Sequence, residues 1–163
     1  MFFKKLKKAK SLEIFSPLNG ELIPIENVPD PVFSEKMMGD GFGFEPENGT
    51  IVSPVTGKVT QVFPTKHAIG FLAEGVEILL HLGLETVGLN GEGFDIHVAE
   101  GQKVKAGETI GTFDLDFIKE KGKKTTTALV FTNGQETVNE ITSVSGTNRK
   151  VQAGDKVATV SLK

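Results

Sequence analysis

Three histidines, His67, His81 and His97, are the residues of this 163-residue chain best suited to covalent or proton chemistry near neutral pH. The chain has no cysteine, which removes disulfides, thiolate metal sites and a Cys nucleophile. Any nucleophile or metal ligand therefore comes from His, Ser, Thr, Asp or Glu. His81 ends the run Val76-Glu77-Ile78-Leu79-Leu80. If that run is a strand, alternation places Val76, Ile78 and Leu80 on one face and Leu79 with His81 on the other. With the first face as core, His81 stands on an outer surface beside an apolar neighbour, a setting suited to docking.

His67 ends the run that begins at Val59, and the same period puts Phe63, Thr65 and His67 on a common face. A hydroxyl and an imidazole there can converge on one anion. A phosphoryl group carried on an imidazole nitrogen has three anionic oxygens, which gain from a second His N–H, a Thr hydroxyl and backbone amides. A histidine on a strand also serves as an ordinary structural residue, and the sequence leaves open whether the two strands are neighbours.

The elements that must position these side chains are short. Nineteen glycines and seven prolines punctuate runs of Val, Ile, Leu, Phe and Thr, the pattern of many brief strands joined by turns. Strands are expected at Glu21–Ile25, Lys58–Phe63, Gly75–Leu80 and Thr127–Phe131, in an all-β, sandwich- or barrel-like fold of mostly antiparallel strands. One short helix is expected over Asp114–Glu120, where an acidic first turn and later lysines suit the helix dipole. Two internal echoes point to a duplicated unit. Ser16-Pro17-Leu18-Asn19-Gly20 matches Ser53-Pro54-Val55-Thr56-Gly57, and the segment from Lys103 to Ile110 matches that from Lys150 to Val157. Hairpins of the second kind also occur in biotinyl and lipoyl carriers, so they speak for architecture rather than chemistry.

The length suits one domain. A net charge of -3 gives no electrostatic reason to bind nucleic acid. No apolar run approaches the roughly 20 residues that span a bilayer. The start, with Lys4, Lys5, Lys7, Lys8 and Lys10 interleaved with Phe2, Phe3 and Leu6, lacks the apolar region and cleavage site of a signal peptide. A flexible basic tail over residues 1–12 and a single domain over 13–163 are expected. Such a tail could rest on anionic lipid as a peripheral contact, at about 1 kcal/mol per lysine.

The string from Gly75 to Val87, GVEILLHLGLETV, followed by Gly91-Glu92-Gly93-Phe94, resembles the active-site signature of glucose-type IIA phosphocarriers of the bacterial sugar phosphotransferase system. Thr65-Lys66-His67-Ala68 is similar to that family's second-histidine segment, and the stretch from Val28 to Gly41 to its upstream loop. The resemblance runs from about Ser11 to the C-terminus. It implies a cytoplasmic, monomeric carrier of the duplicated hybrid-motif fold. His81 would take a phosphoryl group from the phosphohistidine of HPr and pass it to a cysteine on the IIB domain of a sugar permease. His67 would hydrogen-bond the phosphoryl oxygens, with Thr65 orienting the imidazole pair. Phe33, Met37, Met38, Phe63 and Val87 would line an apolar docking surface, edged by Asp30 and Glu85. Regulatory partners are known for some relatives. Glu85 and Leu79 stand where many relatives have Asp and an aromatic. His97 has no functional counterpart and reads as an incidental surface residue.

No cofactor is required under this reading. The resemblance also implies that His67 and His81 can share zinc with a partner's carboxylate, although two imidazoles are too few for a tight site. Two rival classes fit less well. A zinc peptidase needs a His-x3-Asp and a His-x-His pair, and neither exists here. A biotin carrier needs its lysine at a hairpin tip within the repeated unit, whereas Lys36-Met37 lies in the upstream loop.

Overall fold

The computed structural model describes residues 10–163. The apolar runs form fourteen strands among these residues, and the hydrogen-bonded neighbours are antiparallel. The first seven are β1 (Ser11–Phe15), β2 (Gly20–Pro24), β3 (Gly41–Pro46), β4 (Thr50–Val52), β5 (Gly57–Val62), β6 (Ala68–Ala73) and β7 (Val76–His81). The remainder are β8 (Phe94–Ile96), β9 (Lys103–Val104), β10 (Thr109–Phe113), β11 (Thr127–Phe131), β12 (Val138–Ser143), β13 (Arg149–Val151) and β14 (Lys156–Leu162).

One eight-stranded sheet has the order β13-β2-β3-β11-β7-β6-β5-β9, and two three-stranded sheets have the orders β1-β14-β12 and β4-β10-β8. All three sheets feed one core. Phe44, Phe71, Leu80 and Leu129 from the large sheet pack in it with Ile14 and Val160 from one small sheet and Ile51 and Ile110 from the other. The fold is thus all-β and sandwich-like, as expected.

The duplication read from the sequence is reproduced bond for bond. Ser16 Oγ donates to Leu18 O at 2.6 Å, and Ser53 Oγ donates to Val55 O at 2.7 Å. Phe15 N donates to Pro54 O while Val52 N donates to Pro17 O, so the two turns hold each other. The paired hairpins repeat the relation. Gln152 N donates to Asp155 Oδ2 and Ala153 N to Asn19 Oδ1, matched by Lys105 N to Glu108 Oε1 and Ala106 N to Thr56 Oγ1. Pro at the second position of each turn fixes φ and Ser satisfies a buried carbonyl, so the same five-residue logic folds twice. Gly20 and Gly57 are required at the strand starts because a Cβ would lie 2.1 Å from Glu45 O and 2.4 Å from Leu72 O.

A second, smaller core covers the outer face of the large sheet. Ile23, Leu79, Ala128 and Val130 meet Ile25, Val28 and Phe33 from the segment after β2. That segment makes a 3-10 turn at Ile25–Asn27 and one helical turn, α1 (Pro31–Ser34). Asp30 Oδ1 accepts from Val32 N at 3.0 Å and Pro31 starts the turn, a capping arrangement that fixes where Phe33 points. The expected helix is present as α2 (Leu115–Glu120), capped by Asp114, whose side chain accepts from Phe117 N. A last short turn is α3 (Gly134–Thr137).

The expected boundary at residue 12 is displaced by this structure. Ser11 and Leu12 belong to β1, and Leu12 is buried opposite Val160 because its apolar side chain completes the core. Residues 1–9 of the basic stretch, and the lipid contact expected of it, lie outside the described residues. Among the described residues no helix is long and apolar enough to cross a membrane.

Ser16→Ala and Ser53→Ala should each lower stability by about 1–3 kcal/mol, since each strips a buried carbonyl of its donor. In urea titrations the midpoint should fall with the slope unchanged, and a midpoint equal to that of the wild type would contradict this account of the turns.

Candidate functional site

The site is assembled at one end of three adjacent strands in the middle of the large sheet. His81 is the last residue of β7, and in register it faces Ala68 of β6 on one side and Ala128 of β11 on the other. Two alanines, both fully buried, leave room beside the imidazole that larger residues would fill. His67 immediately precedes β6, and its carbonyl accepts from Leu82 N at 2.7 Å. The backbone thus ties the two histidines to each other before any side chain is considered. Their ring centroids lie 5.0 Å apart with the planes crossed at 76°.

Thr65, His67 and Phe63 reach this place by a different route from the one the period suggests. The strand from Val59 ends at Val62 rather than running to His67. Pro64 has no N–H for a ladder, and Lys66 takes a left-handed φ of 59°, so the chain turns, with Lys66 N donating to Phe63 O. The turn still brings Thr65 Oγ1 to 2.7 Å from His67 Nδ1.

On the other ring, His81 Nδ1 lies 2.7 Å from Gly83 O. A carbonyl can only accept, so Nδ1 carries the proton and Nε2 keeps its lone pair. Gly83 can present that carbonyl because it adopts φ +76°, and a Cβ there would lie 2.6 Å from Thr86 Cγ2 and 2.9 Å from Lys124 O. Thr86 is itself buried and donates to Leu82 O, which closes the turn. The role of Gly83 was not drawn from the sequence, because it acts through a backbone oxygen. The His-x-Gly spacing was the available signal.

The imidazole pair is flanked by aromatics. Phe33 sits 5.0 Å from His81, centroid to centroid, and Phe63 sits 5.5 Å from His67. Phe33 is 3% exposed, so it lies beneath the surface, not on the exposed docking face expected of it, because the small core needs its ring. Phe63 is half-buried. Met37, Met38 and Val87 are the exposed apolar residues among those expected, joined by Val32, which the sequence reading did not single out. Asp30 is partly exposed and its charge acts on His81. Glu85 is exposed and opens the turn Thr86–Leu89 in a left-handed conformation. The outer face of β7 is therefore not bare: Leu79 is covered by the segment after β2, and His81 stays partly exposed at its edge.

Burial is the largest influence on both rings and pushes both imidazoles below their ordinary pKa. The neighbouring His81 lowers His67 further, while the Gly83 carbonyl and Asp30 partly oppose the shift at His81. Both rings are thereby biased toward the neutral form near pH 7. Among the described residues no three His, Asp or Glu side chains cluster to hold a metal. With both Nδ1 atoms engaged, the pair offers two nitrogens at most, which does not fit a self-sufficient zinc site. His97 lies apart from the pair in sequence and in sheet, on the exposed surface 3.0 Å from Asp95.

A family model described as phosphoenolpyruvate-dependent sugar phosphotransferase system, EIIA 1, matches residues 12–137, more than half of the chain. This chain belongs to that EIIA family. Among its relatives, the glucose-specific EIIA component of Halalkalibacterium halodurans is 52% identical over 143 residues, covering 80% of this chain and 83% of that protein. The glucose-specific EIICBA component of Streptococcus pneumoniae is 56% identical over 123 residues, 75% of this chain but only 17% of that longer protein. In structure, glucose permease IIA from Mycoplasma capricolum superposes with a TM-score of 0.83 at 39% identity, over 98% of this chain and 99% of that one. As an EIIA chain, the protein is a phosphotransferase-system component of sugar transport.

Because folding disfavours the protonated rings, the unfolded chain takes up protons first as pH drops below about 6.5. Stability should therefore be level above that pH and decline as pH falls toward the lowered native values. Imidazole NMR titration should give midpoints below 6.5 for both His67 and His81, and a midpoint at or above it for either would refute the burial argument. Gly83→Ala should cost about 1–3 kcal/mol through backbone strain and displace the His81 Nδ1–H resonance.

Proposed function

We propose that His81 accepts a phosphoryl group on Nε2 from the phosphohistidine of HPr and hands it to a cysteine of a IIB domain, in the cytoplasm. The observation that carries this reading is the Nδ1 contact with Gly83 O, which leaves Nε2 as the free nucleophile of a neutral ring. The Streptococcus pneumoniae relative, an EIICBA component, supports a IIB partner for the same phosphoryl group.

The step balances without an outside base. The His81 Nε2 lone pair attacks phosphorus as the nitrogen–phosphorus bond to the donor imidazole breaks in line. The electron pair of that bond returns to the donor ring. The new phosphoimidazole is cationic on its ring, and that charge is met by Gly83 O at Nδ1–H and by Asp30 nearby. No proton need leave His81. Onward transfer reverses the logic, with the thiolate of the acceptor forming the sulfur–phosphorus bond as His81 regains its lone pair.

His67 supports the phosphoryl group. With the Thr65 hydroxyl donating to His67 Nδ1, the proton of that ring resides on Nε2, ready to donate to a phosphoryl oxygen. Phe33 and Phe63 narrow water access to the rings, and exposed Met37, Met38 and Val87 give a soft apolar rim that different partners can cover. Asp30 and Glu85 edge it with negative charge, suited to basic partner surfaces.

Incubation with enzyme I, HPr and labelled phosphoenolpyruvate should place an acid-labile, base-stable label on His81. His81→Ala should abolish labelling, and retained label in that variant would reject the assignment. His67→Gln should accept the label yet pass it to a IIB acceptor at least about 100-fold more slowly, the size of effect seen when a charge-stabilising donor is removed. Thr65→Val should show a smaller loss in the same step.

A further inference from the structure

An asparagine followed by glycine can lose its side-chain amide without an enzyme, because the next backbone nitrogen reaches Cγ when no side chain hinders its approach. This chain has four such pairs, Asn19-Gly20, Asn48-Gly49, Asn90-Gly91 and Asn133-Gly134. The fold holds three of these asparagines by their side chains. Asn19 Oδ1 accepts from Ala153 N at 2.9 Å, and its Nδ2 donates to Asn48 Oδ1, which also accepts from Thr50 N at 3.2 Å. Asn133 Oδ1 accepts from Glu77 N at 2.8 Å while its Nδ2 donates to Gly75 O at 3.0 Å. Asn90 is exposed, and its side chain makes no hydrogen bond among the described residues.

The glycines differ in the same sense. A Cβ on Gly20 would collide with Glu45 O, one on Gly49 with Phe113 O, and one on Gly134 would lie 3.2 Å from Phe131 Cβ. Those three backbones are packed in place. At Gly91 the nearest atoms to such a Cβ, Lys66 Cδ and Thr65 O, are 3.9 Å away. Asn90 follows the 3-10 turn Thr86–Leu89 with φ 54° and ψ 36°, so ψ must rotate before the Gly91 nitrogen faces Cγ. The bonds that resist this rotation belong to the turn itself. They run from Asn90 N to Val87 O at 3.3 Å, from Glu92 N to Leu89 O at 3.0 Å and from Phe94 N to Gly91 O at 3.2 Å. An exposed turn opens at far lower cost than the sheet pairing that holds Gly20 at the start of β2.

We propose that Asn90 deamidates spontaneously in the folded protein, ahead of the other three pairs, and that its product alters the Thr65–His67 turn. The Gly91 nitrogen gives its proton to hydroxide and attacks Asn90 Cγ. The Cγ–Nδ2 bond breaks, and ammonia leaves with a proton taken from water. Water then opens the succinimide. Cleavage of the nitrogen–Cγ bond gives aspartate, and cleavage at the main-chain carbonyl carbon gives isoaspartate, with the side-chain methylene now in the backbone. Either product places a carboxylate in the turn that carries exposed Val87. Isoaspartate also lengthens the chain where Gly91 lies against Lys66 and Thr65, and Thr65 Oγ1 is 2.7 Å from His67 Nδ1. The inference stands on the four asparagine environments, and it does not depend on which residue carries a phosphoryl group.

Native protein aged in heavy-oxygen water at mildly alkaline pH, then digested and mapped by mass spectrometry, tests the order of reaction. Label should enter the peptide holding Asn90 first, with those holding Asn19, Asn48 and Asn133 unlabelled while most of Asn90 reacts. In urea the fold is lost and the four pairs should react at similar rates. Label entering any of the other three as fast as Asn90 in the native protein overturns the proposal. So does a preference for Asn90 that persists unchanged in urea, because local sequence would then be its cause. The aged protein, separated by anion exchange, should show displaced amide signals of Thr65, Lys66 and His67 in NMR spectra. Lys103, in β9 at the far edge of the large sheet, should be unmoved. Signals of the Thr65–His67 turn identical to those of fresh protein overturn the effect assigned to the product.

Discussion

The contact between His81 Nδ1 and the Gly83 carbonyl is the constraint on which the site depends. It settles which nitrogen holds the proton, and so which can act as nucleophile. For a carrier, this matters more than raw basicity. Under the proposed transfer, the ring is neutral when it accepts the group, cationic while holding it and neutral again on release. A fixed acceptor at Nδ1 accompanies the ring through all three states without moving. The left-handed glycine, the buried Thr86 and the pairing of Leu84 with Lys124 are the means by which a carbonyl stays aimed at that nitrogen.

Around this contact the architecture separates rigidity from exposure. β6, β7 and β11 lie in the middle of the large sheet, and their inner faces are buried in the main core. The two alanines that flank His81 are as buried as that core, so the imidazole rises from a backbone with little freedom. The exposed apolar residues near the site lie instead on short turns. Met37, the most exposed of the large apolar residues among those described, and Val87 can adapt to another surface without disturbing the rings. Phe33 belongs to both regions, since it is packed in the small core while its ring contacts His81. A change at Phe33 would therefore alter stability and site together.

The burial that sharpens the site also carries a cost. Both imidazoles resist protonation, and that resistance is energy the fold loses in acid. For the proposed transfer, the partial exposure of His81 is a compromise. Full burial would put Nε2 out of a partner's reach, and full exposure would leave a phosphoryl group to water.

The sequence determined what is local. The Ser-Pro-x-x-Gly turns, the two hairpins and the Asp114-capped helix follow from residue chemistry within a few positions, so they could be read directly, and so could the inward face of β7. Thr65, His67 and His81 could be singled out by type and by the family-like string around them. Tertiary structure alone decided that β6 and β7 are neighbours in a register that sets Ala68 and Ala128 beside His81. It also decided that the chain turns at Pro64 and Lys66 instead of continuing as a strand, that Phe33 is buried rather than exposed, and that a glycine carbonyl chooses the tautomer. Those outcomes arise from contacts between residues distant in the chain, or from backbone atoms that every residue shares. Side-chain pattern therefore does not record them.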